Sequence, residues 1–192
     1  MEEIKKAIQI IKDGGIVIYP TDTAYGIGCR IDSSASVRRL FEMRRRPLTQ
    51  ATPVLVDSIP MAEDYLLYSI PDVVRHLTDK YWPGALTVIL PCKTDKVPPP
   101  VRGGGKNIGL RIPDHNVPLS IIEGVGVPIL GPSANFHGLP TPCSFEQLDP
   151  LLVKEADFIL KGECRKGNVS TVVDCSVNPW KIVRKGALNI EI

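Results

Sequence analysis

Apolar residues at Ile4, Ala7, Ile8 and Ile11 recur at helical spacing over residues 2–13. Gly14-Gly15 follow them, so the chain is expected to open with an amphipathic helix closed by a glycine cap. The continuous apolar run at 16–19 reads as a short buried strand ended by Pro20. Ser33 or Ser34 can cap a second helix that turns Val37, Leu40 and Phe41 inward, places Arg38, Arg39, Arg44, Arg45 and Arg46 on or beyond its other faces, and stops at Pro47. Strands are expected at 54–56 and 86–90, with helix starts near Pro60 and Pro71. Ile108, Leu110 and Ile112 alternate with Gly109 and Arg111, the period of a strand with one apolar face. A short helix over 117–122, a strand over 127–130, a helix over 144–153 capped by Ser144, and strands at 158–160, 171–173 and 181–183 complete the pattern. Helices and strands mix without a strict βαβ rhythm, internal repeat or long linker. The expectation is therefore a single domain over residues 1–192, of the α/β (mixed α+β) class, with a mixed sheet flanked by helices.

Composition narrows this picture. A chain of 192 residues, 43% of them hydrophobic, can bury one substantial core. Lys plus Arg number 23 and Asp plus Glu 21, so no global charge argues for nucleic acid, and any binding surface must be local. The 18 prolines and 16 glycines are dispersed among apolar runs, which signals many tight turns. The acidic start Met1-Glu2-Glu3 lacks the apolar stretch of a secretory leader, and no apolar run approaches ~20 residues, so a cytoplasmic protein that does not engage the membrane is expected. The five cysteines are odd in number and far apart, without a Cys-x-x-Cys pair. Free thiols, and no metal site built from side chains, are the expectation.

Three polar clusters interrupt the apolar elements, the first and third straight after strands, where α/β sheets usually bind ligands. Pro20-Thr21-Asp22-Thr23-Ala24-Tyr25-Gly26 is either an ordinary turn or a ligand loop rich in hydroxyls. Arg44-Arg45-Arg46-Pro47 is either a solvated helix end or a clamp for phosphate oxygens. Gly131-Pro132-Ser133-Ala134-Asn135-Phe136-His137-Gly138 offers small residues, a hydroxyl and an amide. It lacks the second glycine of a nucleophile elbow, which argues against a hydrolase triad. Arg111 either faces solvent on an edge or anchors an anion in a cleft. There is neither a Walker loop nor a Gly-x-Gly-x-x-Gly run.

Taken in order, these stretches resemble the YrdC family of threonylcarbamoyl-AMP synthases. The resemblance rests on Tyr19-Pro20-Thr21-Asp22-Thr23-Ala24-Tyr25-Gly26-Ile27-Gly28, Arg44-Arg45-Arg46-Pro47 with Pro53-Val54-Leu55-Val56, Trp82-Pro83-Gly84-Ala85-Leu86-Thr87, Leu110-Arg111-Ile112-Pro113, Ser133-Ala134-Asn135 through Pro142, and Ser170-Thr171-Val172-Val173-Asp174. It implies an open, twisted mixed sheet with a positively charged concave cleft, in the family's short, single-domain form. It also implies condensation of L-threonine, bicarbonate or CO2 and ATP to threonylcarbamoyl-AMP and pyrophosphate, with Mg2+ borne by ATP. A partner enzyme would then transfer the group to tRNA. Arg44 stands where the family usually has lysine, Ala51 replaces a common proline, and Val169 replaces a frequent glutamate.

The chemistry accounts for these residue types. A carbamate is a weak, unstable nucleophile, and its attack on an α-phosphate brings anions together. The site must position reactants, screen charge and exclude water, and needs no covalent nucleophile. By resemblance, Arg44, Arg46 and Arg111 would be catalytic. Thr21, Thr23, Tyr25, Arg111 and Ser133 would bind threonine or carbamate, and Arg44, Arg46, Asn107, Ser133, Asn135, Cys143, Ser170 and Arg184 would bind ATP. The alternative is a non-catalytic module for double-stranded RNA or tRNA, with steep salt dependence and no saturable ATP site.

Overall fold

The computed structural model describes residues 2–191. Helix α1 (Glu2–Lys12) buries Ala7 and Ile11, carries Glu2 and Glu3 in its first turn and Lys12 in its last, and so agrees with its own dipole. It ends as the glycines dictate. Gly14 takes φ +87°, its N–H donates to Ile11 O at 3.0 Å, and Gly15 N–H donates to Ile10 O at 2.8 Å. This is a Schellman cap. Strands β1 (Val17–Tyr19) and β2 (Gly26–Gly28) form an antiparallel pair around the first polar cluster. Helix α2 (Ser34–Met43) is capped by Ser33, whose Oγ accepts from Ser36 N.

Strand β3 (Val54–Leu55) and helices α3 (Ile59–Tyr65) and α4 (Asp72–Tyr81) follow. Pro60 sits in the first turn of α3, while Pro71 is the residue before α4. Next come β4 (Leu86–Pro91), β5 (Asn107–Arg111), α5 (Asn116–Val125) and β6 (Ile129–Leu130). Helix α6 (Pro150–Glu155) and strands β7 (Phe158–Ile159), β8 (Thr171–Asp174) and β9 (Lys181–Arg184) close the chain.

The expected mixed α/β architecture forms, with its strands divided between two sheets. The smaller has order β2-β1-β7 and the larger β6-β3-β5-β4-β8-β9. The main core packs residues such as Ile18, Phe41, Val88 and Leu110. A second cluster places Ala7 and Ile11 of α1 with Ile121 and Ile122 of α5 beside Val17 and Tyr19 of β1. No helix among the described residues is long and apolar enough to cross a membrane.

The one mixed sheet expected is thus two, and two segments also differ from expectation. The helix over 144–153 is broken: a 3-10 turn spans Phe145–Gln147, Ser144 makes no side-chain cap bond, and α6 begins at Pro150 behind its N-cap Asp149. Proline drives the residue before it out of helical geometry, and Asp149 is extended, so the helix restarts there. Strand β2 went unanticipated, because Gly-Ile-Gly has poor strand propensity. Packing selects it. A Cβ on Gly28 would stand 2.2 Å from Leu130 O and 2.8 Å from the Tyr19 hydroxyl, which itself donates to Leu130 O at 2.9 Å.

Helix α5 has an unusual cap. His115 Nδ1 accepts from Val117 N at 3.1 Å, leaving Nε2 to carry the proton toward Glu163 O at 3.3 Å. Burial, aided by Arg165, pulls the imidazole below its ordinary pKa, while Glu163 O, Asp22 and Asp114 oppose that shift. A depressed histidine binds fewer protons folded than unfolded. Its contribution is complete above the ordinary value of about 6.5 and is lost as pH falls through the folded value. His115→Asn keeps a good cap without a titrating group. From about pH 7.5 to about pH 5 the wild type should lose more Tm than this variant. Parallel melting curves would remove His115 as the cause.

Candidate active site

The larger sheet gathers the candidate residues at one end. Its register pairs Leu55 with Arg111, Val88 with Leu110, Leu86 with Thr171 and Val172 with Arg184. The last residues of β5 and β9 therefore meet the first residues of β4 and β8. The loop after β6 reaches the same end and is sewn to the first polar cluster. Ile27 N donates to Pro132 O at 3.0 Å, and Ala134 N donates to Tyr25 O at 2.8 Å. Between these elements lies a cleft of about 600 Å³, counting space open to solvent, lined by Thr21, Thr23, Tyr25, Arg44, Arg46, Arg111, Ser133, Ser170 and Arg184. A second chamber of about 1120 Å³ adjoins it. The two share Arg46, Pro53, Thr87 and Arg184, and the second adds Arg102, Lys106 and Asn107.

Arg111 faces the cleft and is 6% exposed. Its Nε donates to Gly84 O at 2.9 Å, its Nη1 to Thr23 Oγ1 at 2.8 Å, and its Nη2 to Asp22 Oδ1. Three of five guanidinium N–H donors are thereby used, and two are left. Asp22 is fully buried and holds this side chain from behind. Thr21 Oγ1 organises the loop beneath, donating to Ala24 O at 2.7 Å and accepting from the backbone of Thr23 and Ala24. The Tyr25 hydroxyl donates to Gly162 O at 2.7 Å and accepts from Gly162 N at 3.0 Å, so it is taken up by the Gly162 backbone.

Arg44 is 3% exposed, and its Nε donates to Asn135 O at 3.1 Å. Asn135 does not line the cleft. Its amide holds Phe136 O and Leu139 O, and its Oδ1 accepts from Ser133 Oγ at 2.5 Å, so it orders the loop that carries Ser133. Arg46 is fastened to the carbonyls of Gln50 and Ala51. Arg184 donates to both the carbonyl and the hydroxyl of Ser170, and that hydroxyl also meets Thr87 Oγ1 at 2.9 Å. Asn107 lies in the second chamber, where its amide donates to Ser176 Oγ. Cys143 lines neither chamber. Its N–H donates to Gln147 Oε1, and burial pushes its thiol up.

Electrostatics gives these contacts a direction. Burial disfavours the charge on Arg44, Arg46, Arg111 and Arg184, and Arg46 adds to the effect on both Arg44 and Arg184. Among the described residues, only Arg111 of these four has a carboxylate partner, Asp22. Buried Arg44 Nη1 and Asp22 Oδ2, together with Thr52 Oγ1 in the second chamber, have no hydrogen-bond partner among the described residues. Orphaned buried polar atoms cost about 1–3 kcal/mol each, and a polyanionic ligand would relieve the one cationic member, Arg44 Nη1. Among the described residues, no group of three or more His, Cys, Asp or Glu could hold a metal ion. Asp22, Thr87, Arg102 and Lys106 were missed as candidates. Asp22 sat in view between two chosen threonines, and a buried cation needs a nearby anion.

An α/β domain whose sheet end presents four arginines, two of them buried, with many hydroxyls and one hidden carboxylate has the shape and charge of a strand-end cleft suited to anionic ligands. A family model described as telomere recombination (Sua5, YciO, YrdC) matches residues 9–186. The chain belongs to that Sua5/YciO/YrdC family. It is 33% identical over 190 residues to a threonylcarbamoyl-AMP synthase of Bacillus subtilis, covering 98% of this chain and 55% of the relative. The chain thus spans about half the length of that relative. Its fold is similar to that of Pyrococcus abyssi Sua5 complexed with L-threonine, with TM-score 0.87 and 32% identity over 95% of this chain and 54% of the other. Escherichia coli YciO gives TM-score 0.84 and 27% identity, over 95% of this chain and 88% of the other.

Proposed function

We propose that the chain is an L-threonylcarbamoyladenylate synthase, condensing L-threonine, bicarbonate or CO2 and ATP to threonylcarbamoyl-AMP and pyrophosphate. The carrying observation is the convergence of Arg44, Arg46, Arg111 and Arg184 on one cleft, where, among the described residues, Asp22 is the only carboxylate paired with any of the four. Such a cleft suits a reaction in which a carbamate attacks a phosphate and a second polyanion leaves. The two spare N–H donors of Arg111, beside Thr23, suit a carboxylate or carbamate. Arg44, Arg46, Arg184 and Ser170 suit phosphate oxygens. The Ser133 hydroxyl donates to Asn135 and the Ser170 hydroxyl is tied to Arg184 and Thr87, so neither is paired with a base. Positioning and charge screening therefore carry the chemistry, without a covalent intermediate.

The donor set does not suit a resident metal, since Asp22 is turned to Arg111. Magnesium is assigned to the phosphates of ATP. The product is a mixed anhydride, which requires a partner enzyme that transfers the acyl group to tRNA. Protein incubated with ATP, magnesium, threonine and bicarbonate should release pyrophosphate only when threonine and bicarbonate are both present. Equal release without them sinks the synthase reading.

A further inference from the structure

Two helices end in the same hydrogen-bond pattern, and the difference between them is informative. After α1 the left-handed position is Gly14. After α2 it is Arg45, with φ +52°, the only non-glycine residue with positive φ among those described. Its N–H donates to Glu42 O at 2.9 Å and Arg46 N–H donates to Phe41 O at 2.8 Å, the two bonds of a Schellman cap. A side chain here is strained, and glycine would relieve it. The strained turn is also the one that sends Arg44 inward and Arg46 into the cleft.

The Arg45 side chain leaves the cleft and lies over Phe136, with its guanidinium carbon 4.4 Å from the ring centroid. Phe136 belongs to the loop that presents Ser133. Two further bonds close the same seam: His137 N donates to Arg44 O at 2.8 Å, and Arg44 Nε donates to Asn135 O. Glycine could make the turn, but it could not make the cation–π contact.

We propose that Arg45 is a positioning residue: its stacking on Phe136 clamps the left-handed turn against the 133–137 loop and thereby aims Arg44 and Arg46 at an anionic ligand. The inference deepens the synthase reading, but its test does not depend on catalysis. The probe is inorganic tripolyphosphate, titrated calorimetrically into wild type, R45G, R45K, F136L and R45G/F136L. In R45G the relief of strain offsets the lost contact, so Tm should stay close to wild type. Tripolyphosphate should bind roughly fivefold more weakly, the scale of one partly exposed cation–π contact. R45K should recover most of that affinity. The double variant should bind no worse than the weaker single variant, because both remove one contact.

A merely structural role predicts the reverse, lower Tm with unchanged affinity, and would overturn the proposal. Wild-type affinity in R45G, additive losses in the double variant, or no binding by the wild type would overturn it too. Tripolyphosphate binding without threonine-dependent pyrophosphate release would sink the synthase reading alone.

Discussion

Arg111→Ala should slow threonine-dependent pyrophosphate release by ~100-fold or more, on the scale of losing a charge-stabilising donor in a desolvated site. It should also weaken the fold. Asp22 is fully buried, and its only cationic partner among the described residues is Arg111, so the truncation strands a carboxylate at a cost of about 3–5 kcal/mol. These losses can be separated. In D22N/R111M neither charge remains, and replacing a buried pair by neutral groups is often close to neutral for stability. That double variant should regain most of the Tm lost by Arg111→Ala while staying as inactive. Arg111→Lys keeps a cation but cannot reach Gly84 O, Thr23 Oγ1 and Asp22 together, so it should remain well below wild type. Recovery of rate in D22N/R111M would remove Arg111 from the chemistry.

The sequence made the longer elements legible because one pattern dominates each. The α1 stripe, the alternation of 108–112 and the apolar run at 86–90 leave few alternatives, and all three segments form the expected element. What failed was decided by distant contacts. Gly26–Gly28 becomes a strand because it pairs with Val17–Tyr19 and packs under Leu130, which no local propensity records. The division into two sheets rests on β7 joining β1 across most of the chain length. The break at Asp149-Pro150 was readable in advance, since proline restricts its predecessor, but the apolar spacing over 144–153 masked it.

The site divides along similar lines. Arg44, Arg46, Arg111, Ser133, Ser170 and Arg184 were visible as polar punctuation at strand or helix ends, and they meet in one cleft. Of the two readings of Arg111, solvent edge or cleft, register and burial select the cleft. What sequence could not supply was the division of labour within a loop. Thr21 and the Tyr25 hydroxyl look like ligand groups in a list of residues, yet both are occupied by backbone partners. Asn135 acts through Ser133 and Arg44. Asp22 matters for the charge it answers, and that depends on where β5 ends.

Arg46→Ala should lower kcat/KM for ATP by ~100-fold with little change in Tm. Arg46 stands at the junction of the two chambers, and its fork is half-fixed by the carbonyls of Gln50 and Ala51, which leaves the rest of the guanidinium for a ligand spanning both spaces. Burial disfavours its charge, and no carboxylate among the described residues pairs with it, so a polyanion gains more there than at an exposed arginine. Its bonds within the 46–51 turn are partly exposed, which keeps the cost to stability near ~1 kcal/mol. Arg46→Lys retains the charge without the planar fork, so it should fall between wild type and Arg46→Ala. The ordering also separates this residue from its neighbour: truncating Arg46 removes a contact with the ligand, whereas R45G only loosens the turn that aims it. Wild-type kinetics in Arg46→Ala would show that the reacting phosphates lie elsewhere, and a loss in R45G exceeding that in Arg46→Ala would invert the assignment of contact and support within this turn.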